Sequence, residues 1–204
     1  MKNDNIIIVD NNINKEICLF NEKYENINII IKDNASLFID YFNDIEKLKT
    51  KINIEIGNKS SITFNHSYLN KNSYELNIDV NYKSELSSAV INIKGINDNG
   101  LSSINAIGKV ESNNINNVLD EKIKLININN GKSICKPIML INTSKVIANH
   151  ENAIGSINEE ELFYLMSKGL TKENAIKLLC KGYLLSNMHN EELKDKINEY
   201  LNGR

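Results

Sequence analysis

The sequence predicts a mainly β chain that closes with a small α-helical domain, and two observations carry this. From residue 5 to about 150, short segments rich in β-branched and aromatic residues follow one another, with starts roughly ten residues apart. After residue 157 the apolar residues change period, from alternation to the three-and-four spacing of helices. The division this implies is a β domain over 1–156 and a helical domain over 157–204.

The strand candidates in order are IIIV, EICLF, INIIIK, ASLFIDYF, KINIEIG, SSITFNHSYL, YELNIDVNY, SAVINIKGI and IKLINI, separated by Asn, Asp, Gly, Lys or Ser. Several alternate strictly. In Lys51-Ile52-Asn53-Ile54-Glu55-Ile56 and in Leu76-Asn77-Ile78-Asp79-Val80, one side is apolar and enters a core while the other meets water. The one expected interruption is a turn around Ile45 to Lys49. Such a pattern admits a β-sandwich or a β-helix whose coils stack on one another. Asparagine, roughly one residue in six, leans toward the β-helix, because it tolerates the left-handed backbone of tight corners. No hexapeptide or glycine-rich nonapeptide repeat is present to decide the matter, and on pattern alone both architectures stay open.

In the tail, Asn158 is an expected N-cap with Glu161 three residues on, and the helix through ELFYLMSK stops at Gly169. Thr171 begins a second helix with Ala175, Ile176, Leu179 and Tyr183 as its apolar stripe. Asn190 caps a third, with Leu193, Ile197 and Leu201 on one face. Leu162, Phe163, Tyr164, Leu165 and Met166 are consecutive, so they wrap around both sides of the first helix and one packing surface cannot cover them. Either that helix sits between the β domain and the other two helices, or part of its surface docks a partner.

A net charge of −2 and a pI near 6.0 leave no basic field for nucleic acid or an anionic membrane. The longest apolar runs, such as INIII near residue 29, are far shorter than the roughly 20 residues of a spanning helix. The segment MKNDNIIIVDNN has too short an apolar run for a secretory signal, so a soluble cytoplasmic protein is expected. Cys18, Cys135 and Cys180 are scattered, which argues against a disulfide framework and against a self-contained zinc or cluster site. There is no glycine-rich phosphate loop, so ATP chemistry would belong to a partner.

The stretch from Lys136 to Tyr183 reads KPIMLINTSKVIANHENAIGSINEEELFYLMSKGLTKENAIKLLCKGY. It holds Lys136-Pro137 before an apolar strand, a second strand ending in His150, then Gly155 and Ile157. The Glu-Leu-Phe-Tyr-Leu-Met-Ser-x-Gly block at 161 to 169 follows, and then an alanine-containing helix ending in Gly182-Tyr183. In this order the elements resemble the C-terminal signature of SufB and SufD proteins, the scaffolds of SUF-type iron–sulfur cluster assembly. INIKGINDNG and AIGKVES look like preceding coils.

The resemblance implies a right-handed parallel β-helix with a helical C-terminal domain. It implies a non-enzymatic scaffold on which an iron–sulfur cluster is transiently assembled, paired with a second SufB/SufD-type subunit or with a copy of itself. It also implies a tail that docks a SufC-type ATPase, for which Phe163, Tyr164, Leu165, Met166 and Leu170 are the candidates. The chain departs from the family in being shorter and in lacking the clustered N-terminal cysteines of SufB. His150-Glu151 matches the SufB-like His-Glu, whereas Ala148 stands where SufD-like proteins often carry cysteine.

Nascent clusters take soft thiolates, with imidazole or carboxylate at the remaining iron positions, which makes Cys135, His150 and Glu151 the expected set. Adjacent strand residues point to opposite faces, so His150 and Glu151 can converge only at a bulge, a strand end or a subunit interface. The structural alternatives are a hydrogen-bonded His150, a solvated Glu151, and small buried side chains at Cys18 and Cys135, with Cys180 packing in its helix. His66 and His189 have no partner at a recognisable spacing. Two further functions stay open: an accessory SufD-like subunit that holds no cluster, and a β-helix acting on carbohydrate, for which no paired acids are evident.

Overall fold

The computed structural model describes residues 4–203; Met1–Asn3 of the segment read against a secretory signal, and Arg204, lie outside the described residues. The strands are β1 (Asp4–Val9), β2 (Asn14–Phe20), β3 (Asn26–Ile31), β4 (Ser36–Ile56), β5 (Ser61–Tyr82), β6 (Ser88–Asp98), β7 (Leu101–Val110), β8 (Asn117–Ile128), β9 (Lys132–Ile141) and β10 (Val146–Gly155). Every pairing between them is parallel. Parallel neighbours need a crossover, and here each crossover is the opposite wall of the same coil. The result is a parallel β-solenoid, not a sandwich.

One wall stacks β2, the first half of β4, the first half of β5, β6, β8 and β10. The other stacks β1, β3, the second halves of β4 and β5, β7 and β9. The turn expected at Ile45 to Lys49 is instead a shift of pairing register between Ile45 and Lys47, where β4 passes from one wall to the other without leaving the ladder. A bulge bends a strand while keeping most of its hydrogen bonds, which a helical turn would forfeit.

The corners explain much of the asparagine. Among the described residues, eight non-glycine residues have positive φ, and six of them are Asn. Asn12, Asn34, Lys59, Leu86 and Asn116 stack at one corner, and each donates its backbone N–H to a carbonyl of the next coil. Outward-facing asparagines add side-chain rungs, as in Asn28–Asn53, Asn77–Asn105 and Asn65–Asn92.

Inward positions form apolar columns: Ile27, Ile52 and Ile78 in one, Ile29, Ile54 and Val80 in the next, all buried. His66 is inside as well, and it does have partners. Its Nδ1 lies 3.1 Å from the Tyr41 carbonyl and its Nε2 3.0 Å from the Tyr74 hydroxyl. Burial pushes its pKa down to about 4. Cys18 corrects an expectation: it is exposed, because it lies on the outward side of β2, in register with Asp40 and not with the core.

The helices are α1 (Glu159–Ser167), α2 (Lys172–Leu185) and α3 (Glu191–Asn202), capped by the expected Asn158, Thr171 and Asn190. Among the described residues none is long and apolar enough to cross a membrane. Leu184, Met188, Leu193 and Ile197 close over Phe42 and Ile96 on the outer side of the first wall, and Cys180 packs beside them. Polar ties fix the linker between α2 and α3: Ser67 Oγ donates to the Leu184 carbonyl, and Asn187 Nδ2 to the His66 carbonyl. Asp40 Oδ2 accepts the N–H groups of His189 and Asn190. The His189 ring packs at a tilt against Phe38, with centroids 4.9 Å apart.

Candidate functional site

β9 and β10 are the last rungs of the two walls. Among the described residues β9 pairs only with β7 and β10 only with β8, so each leaves one edge of its backbone unpaired there. The interior of the solenoid opens between them. In register with buried Leu119, Glu121 and Ile123, the side chains of Ala148, His150 and Asn152 face this opening from β10. In register with buried Ile104 and Ala106, Cys135 and Pro137 face it from β9.

His150 is thus at the mouth of the interior, while Glu151 points away from it. Glu151 is in register with Lys122 on the outer side of the wall, and its carboxylate pairs with Lys124 at 2.8 Å. The pair is solvent-exposed and worth at most about 1 kcal/mol. No bulge intervenes in this pairing, so the alternation of a regular strand keeps His150 and Glu151 apart. Cys135 is half-buried against the core, with its Sγ 3.6 Å from Asn152 Oδ1 on the facing wall. Burial, and then the nearby Glu121 carboxylate, push its thiol up to about 11.

Glu121 is the residue that the sequence reading missed. It occupies an inward column otherwise made of Ile17, Ile39, Phe64 and Ile91, and it lies directly beneath His150. It is fully buried, and neither carboxylate oxygen has a hydrogen-bond partner among the described residues. Desolvation alone raises its pKa to about 7. Gly108 on the opposite wall leaves it room: a Cβ there would sit 3.4 Å from Glu121 Oε1 and only 2.0 Å from Leu119 Cδ2. The signal was present in Leu119-x-Glu121-x-Ile123-x-Leu125, an acid in the apolar phase of an alternation. The run IKLINI puts the expected strand start at Ile123 and leaves Glu121 out of it, whereas β8 begins at Asn117.

Among the described residues, no three of His, Cys, Asp and Glu converge on one metal-sized point. What the end of the solenoid brings together is an imidazole and a thiol on its two last strands, with a buried carboxyl one strand beneath the imidazole.

The second surface of note is α1. It has no buried residue, so it is not held between the solenoid and the other helices. Its end explains part of the apolar block. Gly169, with φ of +97°, follows the C-cap, the Gly169 N–H donates to the Met166 carbonyl, and the Leu170 N–H reaches back to the Leu165 carbonyl. These are the two bonds of a Schellman ending, in which the residues at the Leu165 and Leu170 positions commonly touch. Leu165 and Leu170 are half-buried accordingly. Phe163, Tyr164 and Met166 remain 74%, 60% and 41% exposed.

Residues 49–183, from the second half of β4 into α2, match the family described as SUF system FeS cluster assembly, SufBD core domain. The chain belongs to the SufBD family. The matched span contains Glu121, Cys135, His150, Glu151 and the whole of α1. A SufBD family protein of Pyrococcus horikoshii is 63% identical over 35 residues, covering 17% of this chain and 8% of that protein. The iron-sulfur cluster assembly protein SufD of Bacillus subtilis is 31% identical over 88 residues, 43% of this chain and 20% of its own length. The SufD protein of Plasmodium falciparum is 30% identical over 95 residues, 44% of this chain and 6% of its own. The segments shared with these SufBD relatives therefore span a fifth or less of their length.

Proposed function

We propose that this chain is a scaffold subunit of a SUF-type iron–sulfur cluster assembly complex in the cytoplasm, with no catalytic activity of its own. The solenoid, residues 1–156, carries the site, and the helical domain, 157–204, carries the partner. The observation that supports this best is the last coil, where Cys135 and His150 face an opening bounded by two unpaired strand edges. A second SufB/SufD-type subunit, or a second copy of this chain, closes that opening and supplies the missing ligands. The nascent cluster is then held at the interface by Cys135 and His150, with Glu151 reaching it only across the interface, from the facing copy. Thiolate and imidazole are the ligands such a cluster takes. The exposed Phe163, Tyr164 and Met166, set by Leu165 and Leu170, dock a SufC-type ATPase, which performs the nucleotide chemistry for which this sequence has no phosphate loop.

Anaerobic co-expression with the cognate ATPase tests the reading. A stable complex with two SufB/SufD-type subunits and bound iron is the expected product. Its absence, with both proteins folded, would overturn the reading. His150→Ala and Cys135→Ala are expected to abolish cluster loading in reconstitution.

A second reading, an accessory SufD-like subunit that holds no cluster itself, is favoured by one observation. Among the described residues no three of His, Cys, Asp and Glu converge on one metal-sized point, so this chain by itself does not build a cluster site. Absorbance spectra of the anaerobically loaded complex, recorded with and without Cys135, separate the two.

A further inference from the structure

Among the described residues Glu121 is paired with nothing, in a position where pairing is compulsory. A carboxyl taken from water without a hydrogen bond is among the costly groups that a fold can bury. The remaining members of its column are Ile17, Ile39, Phe64 and Ile91, so an aliphatic side chain would fill the place without that cost. Its two free oxygens sit one strand below His150, and neighbouring strands lie about 4.8 Å apart. Above His150 there is no further coil among the described residues.

We propose that Glu121 and His150 together form a seat for a single divalent iron ion at the mouth of the solenoid. One carboxylate and one imidazole on the same side of adjacent strands are oxygen and nitrogen donors suited to ferrous iron. The remaining coordination positions are open, to be filled by water in the isolated chain and by a facing subunit in a complex. The Asn152 side chain, two residues on along β10, and the Cys135 thiol on the facing wall also line the mouth and are not ligands of this ion. The seat deepens the scaffold function proposed above and rests on it for the choice of iron; the pairing of Glu121 with His150 does not.

The test uses the full-length chain under anaerobic conditions, titrated with Fe2+ and with Co2+ as its spectroscopic substitute. Binding is read by calorimetry and by the visible absorption of Co2+. The wild-type chain is expected to bind one ion, to show the nitrogen-and-oxygen Co2+ spectrum without a thiolate charge-transfer band, and to melt at a higher temperature with metal than without. Glu121→Gln and His150→Ala are each expected to weaken binding at least tenfold and to lose the thermal shift. Asp120→Asn, on the outward side of the same strand, controls for disturbance of β8 and is expected to bind as the wild type does. Glu121→Leu matches the apolar column and keeps the fold, so its failure to bind cannot be ascribed to unfolding.

Unchanged affinity in Glu121→Gln, or no saturable binding by the wild type at millimolar Co2+, overturns the seat. Binding that is lost in Glu121→Gln supports the seat even if no complex with the ATPase forms, in which case only the scaffold reading falls. Conversely, a cluster-loaded complex whose metal binding is indifferent to Glu121 overturns the seat and leaves the scaffold standing.

Discussion

The carboxylate of Asp40 accepts the backbone N–H of Asn190 at 2.7 Å, a bond between β4 of the solenoid and the N-cap residue of α3. The same oxygen accepts the N–H of His189 at 2.6 Å, and Oδ1 accepts from Asn65 Nδ2 at 2.9 Å, all in a site closed to solvent. Three charge-assisted bonds on one buried side chain make it the pin that holds the helical tail on the first wall. Asp40→Ala strands two backbone N–H groups and is expected to cost about 2–4 kcal/mol. Urea denaturation measures the loss, and limited proteolysis should cut earlier between α2 and α3 than in the wild type.

His66 makes stability fall in mild acid. A carbonyl can only accept, so the Tyr41 carbonyl fixes the proton on Nδ1, and Nε2 accepts the Tyr74 hydroxyl. The neutral ring is fully satisfied and the charged ring is not. The folded pKa, about 4, lies below the unfolded value of 6.5, so the unfolded chain binds a proton that the folded chain refuses. The contribution is complete above pH 6.5 and is lost as pH falls toward 4, by about 2 kcal/mol between pH 7.5 and 5. Urea midpoints at these two pH values should converge in His66→Gln relative to the wild type. An unchanged difference would show that other groups set the acid limb.

Gly95 is required by Tyr68. The two are in register on β6 and β5, and a Cβ on Gly95 would fall 2.1 Å from the Tyr68 Cζ. The ring is buried and its hydroxyl donates to Ser102 Oγ at 3.0 Å, so it has no free direction in which to move. Gly95→Ala is expected to cost about 2–4 kcal/mol, from overpacking and from the strained bond together. Thermal denaturation should show the loss, and Tyr68→Phe in the same background should recover little, because the clash is with the ring.

On α1 the opposite holds. Phe163→Ala and Tyr164→Ala remove side chains that the isolated chain leaves in water, so folding stability should change by less than about 0.5 kcal/mol. Under the proposed function, affinity for the ATPase partner should fall at least tenfold, read by calorimetry on the purified pair. A loss of affinity in Asp40→Ala as well would show that the partner needs the tail pinned, not merely present.

Much of the fold was legible because its signals are local. Asn158, Thr171, Asn190 and Gly169 mark the helix ends by side-chain chemistry that acts over three or four residues. The alternation of Ile52, Ile54 and Ile56 names the buried side of β4 without reference to any partner. What alternation cannot say is which strand lies beside which. A sandwich and a solenoid both want one apolar face per strand, and only the parallel stacking of Ser36 on Ser61 and Ser61 on Ser88 distinguishes them. The turn read at Ile45 to Lys49 failed for the same reason, since β5 supplies a ladder that holds the chain extended through it.

The candidate site divides along the same line. The sequence by itself determined the helical tail, the alternating strands, the family signature around His150 and the incompatible directions of His150 and Glu151, because each depends on neighbours along the chain. Only the tertiary structure decided that Cys135 and His150 share the open end of a solenoid, that α1 keeps Phe163 and Tyr164 in water, and that Glu121 lies unpaired beneath His150. Those facts belong to residues some 15 to 30 positions apart, brought together by the length of one coil. Coil length is set by where left-handed corners and bulges fall around the whole turn, and no single segment of the chain contains it.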